Sequence, residues 1–291
     1  MEKLTNWLQL WKELVEVKAR ASKLNPKSHD KSYCNRKARQ FKKKAESRGS
    51  NIDSSRQFIA STLKANPGST LLDIGAGIGD WSVFLGSYAS EVTALEPSAA
   101  MGELLVETIK SSKAGNVKWV QGTWPGIHME PHDYTLASHS MYGETDIKPF
   151  IEKMNSISRK GCFLVTRVLY TDTIMAKAAQ RVLGQPYDSP CFQVIYNVLL
   201  QLGFCPNVLM ETGKTWKSWS NDSMDEALED IKTRLGVQHE SKDDEYLLSL
   251  LSENLVEKNG KFTWPSGNGS SLIYWGEKMG FFDCYDQPHG R

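Results

Sequence analysis

Apolar and polar positions along the chain fall into two different rhythms. From residue 4, Leu4, Trp7, Leu8, Trp11, Leu14 and Val15 recur at three- and four-residue spacing, which predicts an amphipathic helix over 4–17. Residues 54–65 (Ser54, Arg56, Phe58, Ile59, Leu63) predict a second helix, stopped by Asn66-Pro67-Gly68. Short apolar runs then alternate with helical stretches. Strands are predicted at Thr70–Ile74, Glu91–Leu95, Val117–Val120, Tyr134–Ala137 and Cys162–Val168, with helices at 81–88, 99–112 and 149–158 between them. Short apolar runs separated by amphipathic helices imply βαβ units and a parallel sheet covered on both faces.

Beyond residue 170 the alternation weakens. Helices are predicted at 173–183 and 191–202, a strand near 207–213, about forty residues of acidic helix, and a last strand at Ser271–Trp275. The expected fold is an α/β, seven-stranded, mostly parallel, doubly wound sheet. Its expected divisions are an N-terminal helical lid (1–60), a Rossmann-like core (61–216), an acidic helical insertion (217–260), and the last core strand with a tail (261–291).

Composition narrows the class. The 291 residues are 40% hydrophobic and 24% charged, enough to bury a core, which excludes a collagen-like or wholly disordered chain. No stretch approaches the ~20 apolar residues needed to cross a bilayer, and the opening Met-Glu-Lys, with charge alternating with Trp and Leu, is not expected to be a signal peptide. Five widely spaced cysteines form no CxxC pair and no metal-like cluster. No metal is therefore expected, and a reduced, cytoplasmic setting is. The formal net charge of +1 hides two opposed blocks. Residues 18–48 carry twelve Lys or Arg against two acids, whereas 217–258 carry eleven acids against five bases.

The chemistry concentrates after the first predicted strand. Gly75, Gly77 and Gly79 form a turn of the kind that brings backbone N–H groups to a ligand beyond the carboxyl ends of a parallel sheet. Glu96 ends the second strand 21 residues after Gly75, where an acid accepts hydrogen bonds from a ribose diol. An adenosine-containing ligand is expected. Asp73 and Asp80 flank the turn, and they choose among such ligands. At an effective dielectric of ~20, unit charges 4 Å apart interact by about 4 kcal/mol, so carboxylates would repel a pyrophosphate and attract a sulfonium. S-adenosylmethionine is thus the expected cofactor, in preference to a dinucleotide.

Leu71-Leu72-Asp73-Ile74-Gly75-Ala76-Gly77-Ile78-Gly79 resembles motif I of the class I S-adenosylmethionine-dependent methyltransferases, and Val92-Thr93-Ala94-Leu95-Glu96-Pro97-Ser98 resembles their motif II. Gly122-Thr123-Trp124 stands where that family's adenine-contacting loop follows strand three, and the likeness covers about residues 68–170. The resemblance implies a methyl-transferring enzyme. It puts Asp73 and the glycines near the methionine moiety, and Glu96, with Pro97 beside it, on the ribose. Ser98 and Met101 would lie near the adenine, Thr123 and Trp124 would flank it, and Ser138 would stand at the cofactor edge. Many members carry Asp where this chain has Thr123. The segment Ser138-His139-Ser140-Met141-Tyr142 follows the fourth strand, where the family places acceptor-facing residues.

His139 is the first candidate for a base or acceptor-orienting group and Tyr142 the second; a structural histidine supporting the cofactor loop is the alternative. Methyl transfer needs no covalent nucleophile, because in-line positioning supplies roughly 7–11 kcal/mol. Arg167, at the end of the fifth strand, can hold an acceptor carboxylate or phosphate, or form an internal ion pair. Tyr33, Arg36 and Arg39 precede the first core helix and can close on the ligand as a lid. His128 and His132 read as structural, and Cys191 as core. The absence of Asn/Asp-Pro-Pro-Tyr after strand four disfavours that route to amide or exocyclic-amine methylation. A small-molecule acceptor is the leading expectation. An RNA- or protein-directed methyltransferase using the basic arm is the alternative, and a noncatalytic S-adenosylmethionine-binding protein the third reading.

Overall fold

The computed structural model describes residues 5–24, 53–211, 219–237, 241–265 and 269–276. Seven strands form one sheet: β1 (Thr70–Ile74), β2 (Glu91–Leu95), β3 (Val117–Val120), β4 (His132–Ser138), β5 (Ser158–Val168), β6 (Asn207–Met210) and β10 (Gly269–Trp275). Their order is β3-β2-β1-β4-β5-β10-β6. β1 pairs in parallel with both β2 and β4, β2 with β3, and β4 with β5, whereas β10 runs antiparallel to both of its neighbours. The expected mostly parallel, doubly wound sheet is therefore present.

Period-two geometry explains its two cores. Leu71 and Leu72 are adjacent and both fully buried, but they face opposite layers. Leu71 joins Val92, Tyr134, Leu136, Phe163 and Leu272 under helices α2 (Ser54–Ala65), α3 (Asp80–Gly86) and α4 (Ala99–Ser111). Leu72 joins Ile74, Leu164 and Ile273 under α1 (Trp7–Leu24), α5 (Ile147–Ser156) and α7 (Phe192–Gln201). Gly102 lets α4 lie close to the sheet, since a Cβ there would meet the Trp119 ring at 2.0 Å.

α1 is built into the second layer. Trp11 is fully buried and its indole N–H donates to Glu144 O at 2.8 Å, while Trp7 N donates to Gln201 Oε1 at 3.0 Å. α2 is one continuous helix across position 60; Asp53 caps it, and Glu211 after β6 accepts from the backbone N–H and hydroxyl groups of Ser54 and Ser55.

The acidic region differs from a simple helical insertion. Helices α8 (Met224–Leu235) and α9 (Asp244–Asn254) pack with α6 (Ile174–Leu183) around Ile231, Leu247, Leu251 and Trp264. A small antiparallel sheet of β7 (Ser220–Asn221), β9 (Lys261–Thr263) and β8 (Val256–Lys258) accompanies them. Its acids find local cations: Asp244 pairs with buried Lys232 at 2.8 Å, Asp243 with Arg181 at 2.9 Å, and Asp222 with Lys261 at 2.6 Å. Among the described residues no helix is long and apolar enough to cross a membrane.

Candidate functional site

The chain leaves β1 through a turn whose first two N–H groups, of Gly75 and Ala76, both donate to Leu95 O at 2.8 and 2.9 Å. Gly75, Gly77 and Gly79 all have positive φ (+74°, +58° and +86°), which disfavours any side chain there. Gly75 carries a second constraint. A Cβ on it would sit 2.3 Å from Ser140 Cβ, so the loop after β4 comes against bare backbone. Glu96, buried at the end of β2, closes the turn from the other side. Its Oε2 accepts from Gly77 N and its Oε1 from Ser98 N, both at 2.9 Å. Two backbone donors thus fix the carboxylate while each oxygen keeps a second lone pair for a ligand hydroxyl.

Asp73 lies beneath the turn, 1% exposed, and accepts from Ser82 Oγ at 2.6 Å. Burial pushes its carboxyl up to about 7; the Ser82 hydrogen bond opposes that, Asp80 and Glu96 add to it, and Arg56 reduces it. The turn is less uniformly acidic than its sequence suggests. Asp80 is ion-paired to Arg56 Nη2 at 2.7 Å, and Arg56 Nη1 holds Asp53 at 2.6 Å. The guanidinium also stacks over Trp81, 4.2 Å from its ring centroid. The reading that counted Asp80 as an uncompensated charge is corrected: Asp73 and Glu96 supply the acidity, and Arg56 screens the third carboxylate.

The next two strand ends supply a second cluster. Ser138, half-buried, ends β4 in register with Val165 of β5. His139 follows with φ +55°, a left-handed conformation that costs a non-glycine residue about 1–2 kcal/mol, and its N–H still donates to Val165 O. His139 Nδ1 lies 2.9 Å from Tyr142 Oη, which also contacts Thr166 Oγ1 at 3.1 Å and accepts from Arg167 N at 2.8 Å. Burial raises the Tyr142 pKa despite the opposing effects of Arg167 and Thr166, so the phenol is neutral. The Arg167 guanidinium covers the Tyr142 ring at 4.0 Å from its centroid. Because β1 pairs with β4 and Gly75 abuts Ser140, both clusters form one edge running from Glu96 to Arg167.

The other expected residues fall out differently. Ser98 caps α4 by accepting from Met101 N at 3.4 Å, and Pro97 is exposed beside it. Thr123 is exposed on the loop after β3. Trp124 is a core residue: its indole N–H donates to Phe150 O at 3.2 Å and its ring meets Phe150 edge-on at 6.1 Å. These contacts pack the ring against α5. Tyr33, Arg36 and Arg39 lie outside the described residues. His132 is tied to Thr93 Oγ1 and Glu130 O, both at 2.8 Å, and His128 pairs with Glu130 on the surface. Burial pushes the Cys191 thiol up to about 12 and Cys162 up to about 11, so neither is a thiolate at neutral pH. Sequence reasoning missed Arg56 and Thr166. No motif marks Arg56, whereas Thr166 stands next to Arg167 at the polar end of an otherwise apolar run, Cys162–Val165.

No family model matches this sequence, and no curated protein matches it. Among solved structures, the chain is similar to the YcgJ protein from Bacillus subtilis, at 14% identity over 76% of this chain and 99% of that one, with a TM-score of 0.48. It is similar to precorrin-6y C5,15-methyltransferase from Geobacter metallireducens GS-15 at 12% identity, over 76% and 87% of the two chains, with a TM-score of 0.42. A third is magnesium protoporphyrin IX methyltransferase from Synechocystis PCC 6803 with bound SAH, at 14% identity over 55% and 78%, TM-score 0.42.

Proposed function

We propose that the protein is an S-adenosylmethionine-dependent methyltransferase acting on a small-molecule acceptor. The observation that carries this reading is the Glu96–Gly77 clamp: a buried carboxylate, oriented by two backbone N–H groups, faces a turn of three positive-φ glycines at the end of β1. Such a turn with Asp73 beneath it suits a cation with a ribose, and it disfavours a pyrophosphate. When bound, the donor supplies an activated methyl carbon. The chain's residues bind and orient it: Glu96 takes the ribose hydroxyls, Pro97, Ser98, Met101 and Thr123 border the base, and Asp73 with the glycine turn and Ser138 borders the methionine end.

Transfer forms a bond from an acceptor lone pair to the methyl carbon while the carbon–sulfur bond breaks and its electron pair stays on sulfur. An acceptor that begins protonated must lose that proton to a base. His139 Nε2 fills this role when Nδ1 carries the ring proton. Tyr142 Oη then accepts from Arg167 N and from His139 Nδ1, and directs its own proton to Thr166 Oγ1. Tyr142 thus positions and tautomerises the histidine without ionising.

Calorimetric titration of S-adenosylmethionine, S-adenosylhomocysteine and NAD tests the reading. The first two are expected to bind and NAD not to. Glu96→Ala should weaken donor binding roughly 100-fold or more, as two charge-assisted hydrogen bonds are lost. NAD binding in the turn, or undiminished affinity in the variant, would sink the assignment. Donor binding without transfer to metabolites, RNA or protein would favour a noncatalytic role instead.

A further inference from the structure

Arg167 has an unusual hydrogen-bond account. Its backbone N–H is spent on Tyr142 Oη and its guanidinium face on the Tyr142 ring, but Nε and Nη2 are enclosed and meet no acceptor among the described residues. These two atoms lie on the same edge of the planar group. Their N–H vectors run parallel, at the spacing of the two oxygens of one carboxylate. Buried donors left unpaired are costly, and a buried cation without a counter-ion more so. The edge stands at the carboxyl end of β5, one strand beyond β4, beside His139 and Tyr142.

We propose that the methyl acceptor is a small molecule bearing a carboxylate, held side-on by Nε and Nη2 of Arg167, so that the atom to be methylated lies toward His139. The proposal rests on the methyl-transfer reading and names its substrate class. The carboxylate is the handle and not the methylated atom, because both of its oxygens are engaged. The two coplanar oxygens of a carboxylate match this pair of parallel donors. The donor also has a carboxylate, on its methionine end. Arg167 lies two strands from the β1 turn, about 10 Å across the sheet, which favours the acceptor as the source.

The test uses the full chain saturated with S-adenosylhomocysteine. Acetate, benzoate and phenylacetate, and their neutral amides, are titrated by calorimetry, with phenyl phosphate as a further arm. At least one carboxylate is expected to bind roughly 10- to 100-fold more tightly than its amide. Arg167→Gln should erase that preference with S-adenosylhomocysteine affinity changed less than threefold (roughly 0.65 kcal/mol). Arg167→Lys, which keeps the charge without the fork, should restore only part of it. Equal binding of acid and amide, no binding of any carboxylate, or tighter binding of phenyl phosphate than benzoate overturns the proposal. So does a tenfold loss of S-adenosylhomocysteine affinity in Arg167→Gln with 5′-methylthioadenosine unaffected, which would assign the edge to the donor's own carboxylate. If Arg167→Gln fails to fold, the acid-to-amide ratio of the wild type decides alone. A wild type that binds no S-adenosylhomocysteine refutes the methyl-donor reading instead.

Discussion

Replacing Asp73 by asparagine changes one atom of a side chain sealed beneath the glycine turn. The amide oxygen can still accept from Ser82 Oγ, so the packing and the hydrogen bond survive while the ionisable group does not. In the unfolded chain the carboxyl titrates near 3.8, and in the folded chain burial raises it to about 7. Between these values the native state holds a proton that the unfolded state has released. Stability therefore falls as pH rises, by about 1.4 kcal/mol per unit, and the full deficit of roughly 4 kcal/mol is reached above pH 7. Asparagine carries no such deficit.

Wild type and Asp73→Asn should therefore unfold at nearly the same temperature near pH 4 and diverge steadily up to pH 7, with the variant more stable. At about 2.1 cal/mol/K per residue over 291 residues, the gap at pH 8 is roughly 7 °C. S-adenosylmethionine at 100 times its Kd should return about 2.7 kcal/mol to the wild type and little to the variant, which has lost the charge proposed to attract the sulfonium. Thermal melts of both proteins from pH 4 to 8, with and without the donor, measure all of this. A temperature gap that does not change with pH, or a variant less stable than wild type at pH 8, would refute the reasoning about Asp73.

Other expectations follow from the same contacts. Arg56→Met removes two ion pairs and a ring stack while preserving volume; a loss of about 2 kcal/mol in urea unfolding is expected, and undiminished stability would show that the Asp53–Arg56–Asp80 bridge holds nothing in place. Gly75→Ala and Gly77→Ala share the strain of positive φ, but only the first drives a Cβ into Ser140. Gly77→Ala should cost about 1 kcal/mol, and Gly75→Ala at least twice that together with donor affinity; equal costs in thermal unfolding would contradict the close approach of the two loops. Tyr142→Phe leaves Arg167 N and His139 Nδ1 without their shared partner. Turnover should fall at least tenfold with S-adenosylhomocysteine affinity within twofold, and a variant of normal turnover would show that the tyrosine does not set the histidine's tautomer and orientation.

What was legible in the sequence follows the range of the interactions involved. β1 and its turn are a local signal, an apolar run cut by three glycines, and Glu96 is legible because a strand end fixes its height in the sheet. β7, β8 and β9 were not read: Ser-Asn, Val-Glu-Lys and Lys-Phe-Thr are too short and polar to show alternation. Asn259-Gly260, both at positive φ, is a local turn signal for the β8–β9 hairpin, but β7 joins it only by pairing across about forty residues and by the Trp219–Trp264 stack at 4.9 Å. Trp124 could be placed on its loop but not oriented, since Phe150, whose carbonyl accepts its indole N–H, is 26 residues away. Asp80 looked like an attractor for the donor because the cation that neutralises it, Arg56, is 24 residues distant.

Counting charged residues near a motif is therefore a poor guide to ligand charge. The informative groups are those that folding encloses without a counter-ion; among the described residues these include Glu96 after β2, held by two backbone N–H groups, and two that flank β4: Asp73 under β1, stabilised mainly by a serine hydroxyl, and Arg167 on β5, whose Nε and Nη2 meet no acceptor. These last two have opposite signs and stand on strands separated only by β4, which carries His139 past its end. Each burdens the unliganded fold, and each burden is relieved by one of the two charges a methyl-transfer complex would bring, a sulfonium at β1 and an oxyanion at β5. On the proposed reading the same pairing would order the reaction in space, because a cation held at one strand and an anion at the next but one would place donor carbon and acceptor atom over the strand between them.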